Sequence, residues 1–419
     1  MVSSDVETPA IIHRYHVQGK LGGHRYVYLV EHFEQSARLD TDERTYVVAD
    51  FADSMALAKT FERIAAEQKI DTVIAIDEFA VYVAALAREA LGLAGLNAAQ
   101  ARKFRDKIVM KEALRDSSVN VPTVYSREAL DAGDAPFPLI VKPRSLAGSV
   151  GVSIVRDTHE LRAKTIGPGV LHQGTGYVDM SESHRQVEQF IDGDIYHIDG
   201  IARDGVVVMS TLSRYLSTPL RYLSGHPLGS VVVPMSKTSC WHIGLTAEIV
   251  QRLGVPDGVF HLEIIKHAHG SPYFLEIGAR PGGAQVKRAF AAMTEVDLLL
   301  SHIRLQLDLE LPAAETRPAC QSVGWLIFPK RHDLPPGHIV ERIRMPRMAL
   351  ASMLLHRFVP QIGTTASGPF YSHDRTLGTF VFCGDDASVK TDIASFMDHY
   401  KVDVSASITE GAACRRALK

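Results

Sequence analysis

The chain has 419 residues, 46% hydrophobic and 22% charged, with 45 basic against 48 acidic side chains and a net charge of -3. At about 150 residues per domain, this length predicts two to four domains around a large buried core. A near-neutral balance without a basic run argues against nucleic acid as a partner, and no apolar stretch reaches membrane-spanning length, so neither secretion nor membrane insertion is expected.

The first hundred residues alternate apolar strands with helices. Tyr26–Val30, Tyr46–Ala49 and Thr72–Ile76 read as buried strands. Ser54–Gln68 and Phe79–Leu91 place apolar residues at helical spacing, which makes a βαβ pattern of Rossmann-like type over residues 1–100. Gly19-Lys20-Leu21-Gly22-Gly23 reads as a turn, since it matches no phosphate-binding fingerprint. A single helix is expected from Ala98 to about Arg115. The texture then becomes strand-rich: Leu139–Lys142, Gly151–Val155, Ile195–Ile201, Val206–Met209 and a hairpin near residue 270, with one helix over Cys240–Leu253. This predicts an antiparallel α+β domain over residues 101–310. From residue 311 prolines and short strands mark a small C-terminal α+β domain, residues 311–419, closing on a helix over Ser388–Tyr400 and a polar tail. Cys240, Cys320, Cys383 and Cys414 stand singly, without the spacing of a zinc site or redox pair, and a reducing cytoplasm is the simplest compartment.

The hairpin carries the chemistry: His261-Leu262-Glu263 on one strand and Glu276-Ile277-Gly278-Ala279-Arg280-Pro281-Gly282-Gly283 on the other. With the turn centred on His269-Gly270, Glu263 pairs directly with Glu276, about 5 Å apart at Cβ, where like charges repel. A hard cation between them resolves that repulsion, with Arg280 holding a further anion; an acidic hairpin turned to solvent is the other reading. Three upstream segments suit a nucleotide. Lys107 aims a single cation from that helix into a cleft; taken alone it reads as a solvated helical lysine. Val141-Lys142-Pro143 ends an apolar strand on a lysine that must be paired or face a site, and the loop that follows, Gly148-Ser149-Val150-Gly151, can bring N–H groups to phosphate oxygens. The strand ending in Glu188-Gln189-Phe190-Ile191 offers main-chain groups to a purine edge, and Asp194 can accept from ribose hydroxyls.

In this order the segments resemble the ATP-grasp superfamily, over about residues 107–283. The resemblance implies an ATP-grasp fold, with an N-terminal Rossmann-like domain, a central antiparallel ATP-binding domain whose lid spans about residues 120–190, and a small C-terminal domain. It implies that Lys107 and Lys142 hold ATP phosphates, that the Gly148–Gly151 loop closes over them, that Glu188 to Ile191 line the adenine, and that Glu263 and Glu276 hold Mg²⁺, or Mn²⁺ in its place. Arg280 falls where the family contacts the transferred phosphate, while Gly278 stands where many members carry an asparagine. His-x-Glu and Glu-x-x-x-Arg-x-Gly-Gly are similar to the carboxylate–amine ligase branch, which includes L-amino-acid and dipeptide ligases. That branch implies ATP-dependent amide or peptide bond formation between a small carboxylate, such as an amino acid, and an amine, through an acyl phosphate. In that chemistry Arg280, Lys142 and His261 are the candidate catalytic groups. A biotin- or purine-type carboxylase and a non-catalytic ATP-binding regulator are the alternatives, and a homodimer is a common assembly for enzymes of this kind.

Overall fold

A computed structural model describes residues 1–4, 8–31, 45–165, 170–173, 176–179, 184–236, 239–311, 320–331, 333–367 and 376–406. The polar tail, part of the expected lid and the prolines at 312 and 318 lie outside the described residues.

The N-terminal part is β1 (Val2–Ser3), α1 (Thr8–Val17), β2 (Tyr28–Glu31), β3 (Thr45–Val48), α2 (Ser54–Glu67) and α3 (Ala80–Leu91), with a parallel sheet in the order β1-β2-β3. Asp53 caps α2 by accepting from Met55 and Ala56 N–H, and Gly92 ends α3 in the left-handed region. Two expectations change here. In the segment Thr72–Ile76 the four residues from Val73 are buried, but among the described residues it forms only one bridge, Ala75 to Val2. The neighbour it needed, β1, is two residues in a polar N-terminus and carries too little pattern to be recognised.

The single helix expected from Ala98 is two, α4 (Ala98–Arg102) and α5 (Lys107–Ala113). Asp106 causes the break: its backbone is extended, and its side chain accepts from Ile108 N–H as the cap of α5. The break makes Lys107 the first residue of a new helix.

Next come β4 (Val124–Tyr125), α6 (Arg127–Ala132), β5 (Leu139–Pro143), β6 (Ser153–Val155), α7 (Thr158–Thr165), the pair β7 (Val170–Gln173) and β8 (Gly176–Asp179), and β9 (Arg185–Gln189). Four of these strands form a sheet in the order β4-β9-β5-β6 over a small core of its own, Leu139, Val141, Val155, Leu161 and Val187.

The central part is β10 (Asp194–Arg203), β11 (Val206–Tyr215), α8 (Pro219–Leu223), β12 (Leu228–Val232), α9 (Trp241–Leu253), β13 (Gly258–Lys266), β14 (Pro272–Gly278), α10 (Val286–Thr294) and α11 (Leu298–Gln306). The C-terminal part is β15 (Ser322–Phe328), β16 (His338–Arg344), β17 (Met353–Phe358), β18 (Gly378–Gly384), α12 (Asp386–His399) and β19 (Lys401–Ala406). Three of its strands, β15, β17 and β18, continue the central sheet, giving an eight-stranded sheet ordered β14-β13-β10-β11-β12-β15-β18-β17, while β16 and β19 pair with each other in a separate sheet. Because side chains alternate along each strand, one face of this sheet sends Ile198, Leu262 and Ile277 into the core shared with α2, α3 and α5. The opposite face carries the charged residues. Cys320 and Cys383 form a disulfide, 63 residues apart in sequence and 5.7 Å apart at Cα, so the cysteines do not all stand singly. That pairing removes the ground on which cysteine spacing pointed to a reducing compartment. Among the described residues no helix is long and apolar enough to cross a membrane.

Candidate active site

Glu263 and Glu276 are directly opposed in the β13–β14 register, as the hairpin pattern predicts. One extra residue on β14, Leu275, bulges between this pair and the next, Ile264 with Phe274. Lys107 supplies the cation that two opposed carboxylates require: its Nζ lies 3.0 Å from Glu276 Oε2 and donates to Leu146 O at 2.6 Å. The start of α5 thus joins the hairpin to the base of the loop after β5.

That loop turns through three left-handed positions, Gly148 (φ 64), Ser149 (φ 61) and Gly151 (φ 72), with Val150 between the last two. Ser149 is the unusual one, since a side chain there is strained without a local reason. The loop joins two antiparallel strands, as a hinged lid requires, and its backbone can present N–H groups to one point. Behind it, Lys142 and Lys111 share Glu188, at 2.5 and 2.8 Å, all three no more than 4% exposed. Burial pushes Lys111 down to about 8, with Lys142 adding to the effect and Glu188 opposing it. Burial alone would raise the Glu188 carboxyl, but the two ammonium groups hold it below the usual range.

The adenine contact expected of Glu188 is a main-chain one; its carboxylate is committed to the lysines and to Gln186 Nε2 at 2.7 Å. Gln189 is also engaged, its N–H donating to Thr123 O at 2.9 Å. Phe190 and Ile191 lie past the end of β9 and are half-buried. Asp194, exposed, pairs with Arg214 at 3.1 Å.

Sequence patterning did not single out Glu78, yet it reaches the centre of the site. Its Oε2 accepts from Arg280 Nε at 2.6 Å, and its Oε1 pairs with Arg105, which stacks on Phe79 and donates to Ser145 O at 2.5 Å. A Cβ on Gly278 would lie 3.1 Å from Glu78 Oε2 and 3.4 Å from Arg280 Nε. The space an asparagine would fill is thus taken by a carboxylate from the N-terminal part. Burial would raise Glu78, but Arg280 and Arg105 overcome it and hold the carboxyl at about 2 against an ordinary 4.5. A depressed carboxyl contributes stability that is complete above its unfolded value and lost as pH falls through its folded value, here between about 4.5 and 2. Glu78→Gln is expected to remove roughly 3 kcal/mol of that acid-dependent stability, so the variant's urea midpoint should change less between pH 6 and 3 than the parent's.

His261 is withdrawn from open solvent. It lies 6% exposed beside Asp199, which also holds His197. Burial would lower His261, but Asp199 raises it to about 9. A Cβ on Gly282 would come within 2.7 Å of Asp199 Oδ1 and 2.8 Å of His261 Nδ1, which explains why the turn after Arg280 needs glycine. Asp199 and His197 went unassigned in the sequence although the His-x-Asp spacing on β10 matches the His-x-Glu of β13.

Two family models match the chain: an ATP-grasp domain over residues 135–288 and an ATP-grasp N-terminal domain over residues 22–95. The chain is similar to an L-arginine-specific L-amino acid ligase of Bacillus subtilis, 23% identical over 69% of this chain and 70% of that protein. It is also similar to dapdiamide A synthase of Enterobacter agglomerans, 27% identical over 51% of each. The fold matches a crystal structure of an L-amino acid ligase from Bacillus licheniformis with a TM-score of 0.70, at 19% identity, covering 96% of this chain and 97% of that one.

Proposed function

The chain belongs to the ATP-grasp enzymes, in their carboxylate–amine ligase branch, and from that premise we propose that it couples ATP cleavage to an amide bond between an amino acid carboxylate and a second amine. The observation that carries this reading is the register pairing of Glu263 with Glu276 under the Lys107 ammonium. When bound there, Mg²⁺ supplies positive charge that offsets the charge on the transferring phosphoryl group. Paired carboxylates on a rigid hairpin fit such a cation, and Lys107 marks the point where positive charge is needed.

The chain's own groups then divide the work. Lys107 and Lys142 neutralise phosphate oxygens, the Gly148–Gly151 loop covers them, and the main chain around Phe190 and Ile191 meets the purine. Transfer of the γ-phosphoryl group to a carboxylate oxygen gives an acyl phosphate and ADP. Attack of the amine nitrogen on the acyl carbon then forms the C–N bond, expels phosphate and releases a proton. Arg280, turned inward by Glu78, neutralises the acyl phosphate and departing phosphate. Lid closure keeps water from the acyl phosphate.

The test is incubation with Mg-ATP and pooled amino acids, with and without bicarbonate. ADP, phosphate and a condensed product are expected. AMP with pyrophosphate overturns the acyl-phosphate route, and ADP release that depends on bicarbonate supports carboxylation instead.

A further inference from the structure

Four buried side chains beside Glu263 take no part in the steps above. His197 faces Glu263 across β10 and β13, and Asp199 faces His261, so all lie on one face of the sheet. Asp199, 1% exposed, spends both oxygens on imidazoles: Oδ2 on His197 Nδ1 at 2.5 Å and Oδ1 on His261 Nδ1 at 2.7 Å. The Ser230 hydroxyl donates to Arg214 O at 3.1 Å, so its oxygen accepts from His197 Nε2 at 2.7 Å. On the other side, His261 Nε2 lies 3.5 Å from Glu263 Oε1, and Tyr215 Oη donates to that same oxygen at 3.1 Å.

The three side chains His197, Asp199 and His261 could be mistaken for a metal site of their own. Their spacing argues otherwise. Donor atoms sharing one metal at about 2.1 Å stand about 3 Å or more apart, whereas 2.5 and 2.7 Å are distances at which a proton is shared. Asp199 is a clamp on two rings, not a ligand.

Both contacts on Glu263 fall on Oε1, which leaves Oε2 for a cation. We propose that Asp199 is a positioning residue: with His197 it fixes the ring of His261, and His261 and Tyr215 together pin Glu263 Oε1, so that Glu263 meets the metal through Oε2 alone. This rests on the reading of Glu263 and Glu276 as the metal carboxylates. A metal carboxylate held by buried hydrogen bonds binds without first being ordered, and loss of such partners costs about 10–100-fold in metal affinity.

The experiment titrates Mn²⁺ into the full chain with a non-hydrolysable ATP analogue and reads free Mn²⁺ by electron paramagnetic resonance. Asp199→Asn and Tyr215→Phe should each weaken Mn²⁺ binding about 10–100-fold. The affinity for metal-free nucleotide and the far-ultraviolet dichroism should be unchanged. Turnover in Tyr215→Phe should recover as Mn²⁺ is raised, a response that a purely structural lesion does not give. If Asp199→Asn does not fold, Tyr215→Phe, which deletes one hydroxyl and keeps the ring, decides alone. Unchanged Mn²⁺ affinity in folded variants overturns the positioning role. Glu263→Gln separates the two levels: if it too leaves Mn²⁺ bound as in the parent, the metal reading itself fails. If it alone abolishes binding, only the positioning role does.

Discussion

Glu276→Gln should lower kcat by roughly 10³-fold, equivalent to several kcal/mol of lost charge stabilisation, while the melting temperature stays close to the parent's. The two effects separate because the amide matches the carboxylate in shape and removes only its charge. In the resting protein that charge has a cost and a return: it opposes Glu263 directly across β13 and β14, and it holds Lys107 at 3.0 Å. Glu276 is the more exposed partner of that ion pair, 26% against 8%, so the stability at stake is modest. On the proposed reading, the same change leaves one carboxylate to hold a divalent cation against ATP's phosphates. The measurement is ADP release against Mg²⁺ concentration, with thermal unfolding alongside. Parental rates in a folded variant would remove Glu276 from the metal site.

Period-two patterning made the hairpin and its register legible. Leu262 and Ile277 point to the core while Glu263 and Glu276 do not, and a one-residue slip would bury both charges. Helices α2, α3, α9 and α12 were legible for a similar reason, with apolar spacing near 3.6. The features that escaped depend on partners distant in sequence. Glu78 lies 202 residues from Arg280, and nothing local distinguishes it from an ordinary glutamate before a helix. Lys111 drew no assignment, because its partner Glu188, 77 residues away, reaches it only when β9 folds against α5. The Cys320–Cys383 bridge depends on β15 lying next to β18, a pairing that turn residues do not announce. Asp199 was hidden differently: it sits inside a recognised strand with the right spacing, but its purpose appears only when His261 arrives on the next strand.

Glu188→Gln should produce the largest loss of stability of any single change at the site, about 3–5 kcal/mol, because it leaves Lys111 and Lys142 as two ammonium groups in a dry pocket with no countercharge. The glutamine oxygen can accept from one lysine, but its NH₂ must then face the other, which converts an attraction into a donor–donor clash. The chain's recourse is to release a proton from Lys111, already held at about 8 by burial and by Lys142. Stability of the variant should therefore rise with pH from 7 to 9, since the unfolded lysine stays protonated where the folded one does not. If Lys142 serves ATP, the nucleotide supplies the missing negative charge. Saturating ATP should then raise the variant's melting temperature by more than it raises the parent's, and this difference is the informative readout. Should Glu188→Gln not fold, Glu188→Gln combined with Lys111→Met removes one of the two stranded charges and should recover much of the loss. Equal ATP-induced shifts in the single variant and the parent would place the lysine pair outside the phosphate site, and its burial would then be purely a matter of holding β5, β9 and α5 together.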